Sequence, residues 1–98
     1  MSAGQVVGCR RCPARIFFVR PHNSASMMPF DEAVARADTV PSKSRWTVDP
    51  VARQWCGPAQ YPAEFVYVPH WGTCPSTNKK PPRNAVLRQR WIDNGGIA

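Results

Sequence analysis

Two short runs of aromatic and β-branched residues dominate the pattern of apolar positions along the chain. Residues 14–20 (ARIFFVR) and 64–68 (EFVYV) have this composition, and a proline bounds each run on both sides. Such runs predict β-strands, with the prolines marking where each strand stops. If the two strands are antiparallel neighbours, the end of the second lies beside the start of the first.

The connection between these two strands is long, at roughly forty residues. Such a length in a small domain indicates a segment that is either held in place by contacts with the rest of the fold or functional. Prolines punctuate it. Within it, residues 31–38 are compatible with one or two helical turns, and residues 45–48 (RWTV) predict a short third strand.

A short helix is predicted near the C-terminus, over Ala85–Ile92. Asn84 is a suitable N-cap, and Gly95 lies close to the predicted C-terminal end. Leu87 and Trp91 are four residues apart and therefore lie on one face. A helix this short needs tertiary contacts along that face in order to be stable.

Composition limits the chain to one small domain with a modest apolar core. It has 98 residues, of which 11 are proline and 6 are glycine. That many helix-breaking residues argues against a helical bundle, while 43% hydrophobic residues argues against a disordered chain. No apolar run approaches the length of about 20 residues that a membrane-spanning helix needs.

Cysteine and histidine spacing predicts a metal site. Cys9 and Cys12 form a C-x2-C pair just before the first strand, and His70 and Cys74 form an H-x3-C pair just after the second. Two such pairs, here called the first and second knuckles, supply the four ligands of a tetrahedral zinc site. The antiparallel arrangement of the two strands would bring the knuckles together. Three thiolates and one imidazole leave no open coordination position, so zinc would have a structural role.

Other interpretations of these residues remain open. A C-x2-C pair also occurs in redox dithiols, and the thiols could simply be unliganded. Cys56 has no partner at knuckle spacing and is interpreted as a small buried apolar residue rather than a nucleophile. His22 follows the first strand, at the end away from the predicted metal, and is expected in a surface turn.

We therefore predict a small β-rich, zinc-ribbon-like fold with a minor helical part. Its expected components are an antiparallel strand pair with two metal knuckles, a long proline-rich connection and a short C-terminal helix. Residues 1–78 would form the zinc-ribbon-like domain, and residues 79–98 a basic extension that carries the helix.

The chain resembles a group of short zinc-ribbon-like proteins of actinobacteria and their phages, whose function is mostly unassigned. The resemblance lies in the C-x2-C knuckle, the strand residues 16–19, the segment Met28-Pro29-Phe30-Asp31 and the sequence 70–75 (HWGTCP). It covers both ends of the first 75 residues, but not residues 36–60 or the C-terminal tail. Phe18 stands where that group usually has tryptophan. The resemblance implies zinc binding and says little about function.

Positive charge is concentrated at both ends of the chain, within a formal net charge of +7. Residues 1–23 contain four arginines and no acid, and residues 79–98 contain five bases and one acid, whereas the middle is nearly neutral. A cationic surface attracts phosphate backbones or acidic proteins, although charge runs are often only solubilising. The candidate binding residues are Arg10, Arg11, Lys79, Lys80, Arg83, Arg88 and Arg90.

Two functions are compatible with these features. The first is a non-enzymatic structural-zinc module that binds nucleic acid through its basic termini, with Trp71, Trp91 or Phe18 stacking on bases where these rings do not pack in the core. The second is a phage or actinobacterial adaptor that docks on a host protein. No small-molecule substrate is expected. The N-terminus lacks the pattern of a secretion signal, so a reducing, cytoplasmic setting is expected.

Overall fold

The structure is a computed structural model that describes residues 4–21, 26–49, 56–59 and 63–97. Within these ranges no helix is both long and apolar enough to cross a membrane. The described chain is β-rich, with antiparallel sheets and one C-terminal helix. The strands are β1 (Val6–Gly8), β2 (Arg15–Val19), β3 (Met28–Asp31), β4 (Ala35–Arg36), β5 (Trp46–Val48), β6 (Cys56–Pro58) and β7 (Phe65–Val66), and the helix is α1 (Ala85–Asp93).

The largest sheet has the order β1-β2-β3, with both pairs antiparallel. Val6 is opposite Phe17, and Phe17 is opposite Phe30. Two smaller antiparallel pairs, β4 with β7 and β5 with β6, complete the sheets of the described chain.

The predicted pairing between the first and second sequence strands is wrong. β2 is paired on one side with β1 and on the other with β3, so it has no free edge for the segment near residue 65. β7 pairs with β4 instead. The physical reason lies in the long connection, which contains β3 to β6 and therefore supplies strand partners of its own. The helical turns expected over residues 31–38 are replaced by the end of β3, by β4 and by a 3₁₀ turn, Ala37–Thr39.

The three-stranded sheet packs one face into the main apolar core. Side chains alternate between faces along a strand, so Phe17 and Val19 of β2 point to the same side. Both are fully buried, together with Phe30 and Cys56. Phe17 also contacts the ring of Tyr67 edge-on, with centroids 5.4 Å apart. The expectation that Cys56 is a small buried apolar residue agrees with this position.

A second apolar cluster joins the helix to the rest of the fold. Leu87 packs with Val66, Val68, Val40 and Ala35. The one-sided pattern of α1 explains this contact, because Leu87 and Trp91 are the buried residues of the helix. The tertiary support that a nine-residue helix requires therefore comes from β4 and the β7 segment.

Both ends of α1 are capped as the sequence predicts. The Asn84 side chain accepts hydrogen bonds from the backbone N–H groups of Val86 and Leu87, at 3.0 and 3.1 Å. At the other end Gly95 adopts a φ of 101°, which favours glycine. The N–H of Gly96 bonds the carbonyl of Trp91, and the N–H of Gly95 bonds that of Ile92, which is a Schellman arrangement.

Candidate metal centre

The two knuckles converge at one point of the fold. Cys9, Cys12, His70 and Cys74 each offer one ligand atom, and all four atoms lie within 4.8 Å of one another. The structure thus brings together the complete ligand set that the spacing predicts. His70 and Cys74 are buried, whereas Cys9 and Cys12 are partly exposed.

The spacing of these atoms fits a tetrahedral ion of zinc size. With metal–sulfur bonds of about 2.3 Å and metal–nitrogen bonds of about 2.0 Å, ligand–ligand edges are about 3.5–3.8 Å. The Cys12 Sγ to His70 Nε2 distance is 3.4 Å, close to such an edge. The widest separation of 4.8 Å requires only a small inward movement of the side chains. Three sulfurs and one nitrogen are soft and borderline donors, which suits zinc better than magnesium or calcium.

β3, rather than a direct pairing of β2 with β7, brings the second knuckle to the first. The Asp31 N–H donates to the carbonyl of Val68 at 3.0 Å, and Phe30 forms an isolated bridge with Pro69. β3 is also paired with β2, which begins three residues after Cys12. β3 therefore contacts the second knuckle directly and is paired with the strand that follows the first.

Asp31 orients the imidazole of His70. Its Oδ1 lies 2.6 Å from His70 Nδ1, and the Thr73 hydroxyl donates to the same carboxylate at 3.0 Å. With Nδ1–H donating to Asp31, Nε2 faces the sulfurs, and its lone pair is free to bind a metal once this nitrogen has lost its proton. All three side chains are buried, so the hydrogen bonds hold the ring in one orientation.

Side chains of helix α1 and its C-cap donate hydrogen bonds to Asp31 and to the backbone of the second knuckle and the segment after it. Arg90 Nη1 donates to Asp31 Oδ2 at 3.1 Å, and Trp91 Nε1 donates to the Asn78 carbonyl at 2.7 Å. Asn94 Nδ2 donates to the carbonyl of Thr73 at 2.9 Å. The metal centre is therefore supported by a residue from β3 and by three residues from the C-terminal helix and its cap.

The thiols of the cluster do not all ionise readily in the absence of a cation. Burial and the neighbouring sulfur charges raise the pKa of Cys12 to about 12. Burial opposes ionisation of Cys74 as well, but hydrogen bonds from Thr77 and the Ser76 N–H lower its pKa to about 7. Burial also opposes ionisation of Cys9, but hydrogen bonds from the Arg11 N–H and His70 outweigh it and lower the pKa of this thiol. A divalent cation would favour the ionised Cys12 thiol, because its charge compensates both the burial of this thiol and the repulsion between the sulfurs.

The imidazole of His70 is held in its charged form. Burial by itself lowers the pKa of His70, but the hydrogen bond and negative charge of Asp31 outweigh burial and raise it to about 9. A proton on Nε2 must leave before this nitrogen can coordinate a metal. Metal binding at this site would therefore release protons.

The remaining thiol and histidine lie apart from the cluster. Cys56 is fully buried in the main core, and burial raises its pKa to about 11, so its thiol stays neutral. This environment is that of an inert core cysteine. The prediction for His22 falls on a residue outside the described ranges.

Most of the predicted binding residues are exposed. Arg10 and Arg11 project from the first knuckle, and Lys79, Lys80, Arg83 and Arg88 follow the second. Arg90 differs from them, because it is only partly exposed and its guanidinium bonds Asp31 and the carbonyls of Ala33 and Val34. Arg90 therefore has a structural role at the metal centre.

The sequence predicts the four residues of the cluster but not the residues that support them. Asp31 and Thr73 are ordinary polar residues in the sequence, and no spacing rule connects Asp31 to a histidine 39 positions away. The available signals were the acid that ends the segment Met28-Pro29-Phe30-Asp31 and a hydroxyl placed between His70 and Cys74.

Comparison of the chain with protein-family models, curated proteins and solved structures finds no match. The resemblance to short actinobacterial and phage zinc-ribbon-like proteins stays a prediction. The metal centre is therefore argued from its own donor atoms and their surroundings.

Proposed function

We propose that the protein is a non-enzymatic module that folds around a structural zinc ion and binds nucleic acid through its basic surface. The proposal of a structural zinc ion rests on the convergence of three sulfurs and one imidazole within 4.8 Å. The Asp31 carboxylate accepts a hydrogen bond from Nδ1 of His70, as carboxylates commonly do for histidines that bind zinc. Four protein ligands leave no position for a substrate or an activated water, which favours a structural ion.

Metal analysis of purified protein tests the proposed zinc site. We expect one zinc per chain, and we expect Cys12→Ser and Cys74→Ser to lose it. Cys56→Ala is the matched control, because this cysteine is buried in the core away from the cluster. Absence of zinc from protein that keeps its fold under chelation would overturn the assignment, as would equal zinc loss in the Cys56 variant.

Surface charge around the metal centre supports nucleic-acid binding. The described segments 4–14 and 70–92 contain no aspartate or glutamate. The Ser76 hydroxyl donates to the Arg11 carbonyl at 3.0 Å, so the chain leaves the second knuckle beside the first. The three residue-to-residue steps from Ser76 to Lys79 span at most about 11 Å. Exposed cations from both ends of the chain are thereby brought into one region, which an anionic phosphate backbone complements.

An exposed aromatic ring adds to this surface. Trp71 is 52% exposed, although its neighbours His70, Thr73 and Cys74 are buried. The short 3₁₀ turn His70–Gly72 fixes its backbone next to the metal ligands. Indole rings in such positions stack on bases with little dependence on sequence.

The proposed nucleic-acid binding is tested by measuring the salt dependence of binding to mixed-sequence oligonucleotides. Replacing Arg10, Arg11, Lys79 and Lys80 by alanine in pairs should weaken binding and reduce the salt slope by about 1 for each phosphate that is no longer neutralised. The control pair is Arg20→Ala with Lys43→Ala, which removes equal charge at exposed positions outside this region. No retention at low salt, or equal weakening by the control pair, would contradict a localised nucleic-acid surface.

One observation favours the alternative, an adaptor that docks on a protein. Phe65 and Val34 are 52% and 42% exposed at the β4–β7 pair, where apolar side chains usually indicate a contact surface. A protein captured from lysate that survives nuclease treatment and is lost in Phe65→Ser would support this function over the first.

A further inference from the structure

A groove of about 310 Å³ opens beside the first knuckle. It lies on the outer side of the three-stranded sheet, next to the metal ligands but separate from the contacts that orient them. The described residues that line it are Gly8, Cys9, Arg10, Arg11, Ile16 and Phe18.

The floor of the groove comes from the face of β2 that the main core does not use. Phe17 and Val19 point into the core, so Ile16 and Phe18 point to the opposite face. Ile16 is buried, with 3% exposure, and forms a closed bottom. Phe18 is partly exposed, which leaves part of its ring available to a ligand.

The lining combines an apolar, aromatic floor with a cationic wall. Arg10 and Arg11 are both exposed, and no carboxylate, amide or hydroxyl side chain is among the lining residues. A complementary ligand carries a flat, uncharged ring together with negative charge. Nucleotides have this combination, because the base is planar and the phosphates are anionic.

We propose that this groove takes one unpaired nucleobase of a single-stranded nucleic acid, which stacks on Phe18 while Arg10 and Arg11 contact the flanking phosphates. This inference rests on the proposed nucleic-acid function and makes it specific for single strands. In a duplex the faces of the bases are already stacked, so only an unpaired base can present its face to Phe18. Because the two arginines contact phosphates in this arrangement, and the lining holds no side-chain amide, hydroxyl or carboxylate to read base edges, binding has little sequence preference.

The test measures anisotropy of a fluorescent oligonucleotide of about 12 nucleotides, alone and annealed to its complement, with the zinc-loaded full chain. We expect the single strand to bind more tightly. Phe18→Leu retains the apolar volume but removes the ring face, and it should weaken single-strand binding about 5- to 150-fold. Duplex binding should be unchanged. Zinc content reports whether the variant keeps its fold.

A matched control and a cross-link locate the contact. Phe65→Leu removes an exposed ring that lies outside the groove and should leave both affinities unchanged. Photolysis of the wild-type chain with single strands that contain 5-iodouracil should attach the base at Phe18, identified by peptide fragmentation. This second measurement does not depend on a variant that folds.

Three results would overturn the inference. Equal affinity for single and double strands, unaffected by Phe18→Leu, removes the base site and leaves a general phosphate-binding surface in place. No binding of either oligonucleotide removes both the base site and the proposed function. Displacement of the single strand by an acidic, tryptophan-containing peptide that binds more tightly and depends on Phe18 identifies the groove as a peptide site.

Discussion

At the scale of single residues, Asp31 connects the metal ligands to the rest of the protein. Its carboxylate receives hydrogen bonds from His70, Thr73 and Arg90, which come from the second knuckle and from α1. Its backbone N–H bonds the strand segment that leads into the second knuckle. Only 6% of the residue is exposed, so these bonds are made away from solvent competition.

Replacing Asp31 by asparagine should therefore weaken metal binding without removing a ligand. The amide keeps the shape of the side chain but loses the negative charge, so His70 is less firmly oriented and Arg90 loses its ionic partner. We expect zinc affinity to fall about 10- to 100-fold, as for other second-layer changes. Competition with a chromophoric chelator measures this change. Asp38→Asn is the control, because Asp38 is exposed and its described ion pair is with Arg36; an equal effect in both variants would contradict the role of Asp31.

At the scale of elements, α1 acts as a brace for the second knuckle. Trp91 and Asn94 bond the carbonyls of Asn78 and Thr73, and Leu87 anchors the helix in the second apolar cluster. The chain after the helix folds back over the indole. A Cβ added at Gly96 would lie 2.3 Å from Trp91 Cε3, so this close approach requires glycine.

Gly96→Ala should consequently destabilise the brace. The added methyl cannot be accommodated without moving the indole or the turn, and overpacking of this kind costs about 1–3 kcal/mol in the free energy of unfolding. Denaturant unfolding of the zinc-loaded protein measures the change. At Gly57 an added Cβ meets nothing within 4 Å, so Gly57→Ala is the control. Equal stability of the two variants would contradict the packing of Trp91 against Gly96.

Elements with strong local signals could be predicted from the sequence, and those defined by distant partners could not. The cap at Asn84, the glycine at position 95 and the spacing of the knuckles are properties of a few adjacent residues, and the structure confirms each of them. β4 has two residues and carries no clear alternation. β7 lies within the strand predicted over residues 64–68, but its partner depends on tertiary contacts. The role of Asp31 was not predictable for the same reason.

At the scale of the whole molecule, the metal centre connects regions that are far apart in sequence. Cys12 and His70 are 58 positions apart, and the main core and the second cluster lie on segments between or beyond them. A structural zinc ion contributes about 10–16 kcal/mol in small domains, which is comparable to or larger than the total stability of about 5–15 kcal/mol. We therefore expect the fold as a whole to depend on the ion.

The stabilisation by zinc should increase with pH. Below about pH 9 the protons on both Cys12 and His70, whose pKa values are raised to about 12 and about 9, compete with the metal. In the metal-free chain two shifts oppose each other. The lowered pKa of Cys74, about 7 against its ordinary value of 9, contributes stability that is present above pH 9 and is lost as pH falls through about 7. The raised pKa of His70 contributes stability that is fully present below its ordinary value of 6.5 and is lost as pH rises through about 9.

Thermal unfolding between about pH 6 and pH 9, with zinc and with a chelator, measures this divergence. The difference in Tm between the two forms should widen as pH rises. A difference that narrows would contradict the proton exchange at this site. Chemical denaturation of both forms at each pH gives the same difference as a free energy of unfolding.

The position of the ligands along the chain also has a consequence for biosynthesis. Cys9 and Cys12 leave the ribosome early, but the donor set is incomplete until Cys74 has been translated, and the stabilising contact of Arg90 comes later still. A product interrupted before residue 70 holds only two of the four donors. Metal capture at the proposed site would thus come late in the synthesis of each chain, and truncated products would be exposed to proteolysis because they could not close around the ion.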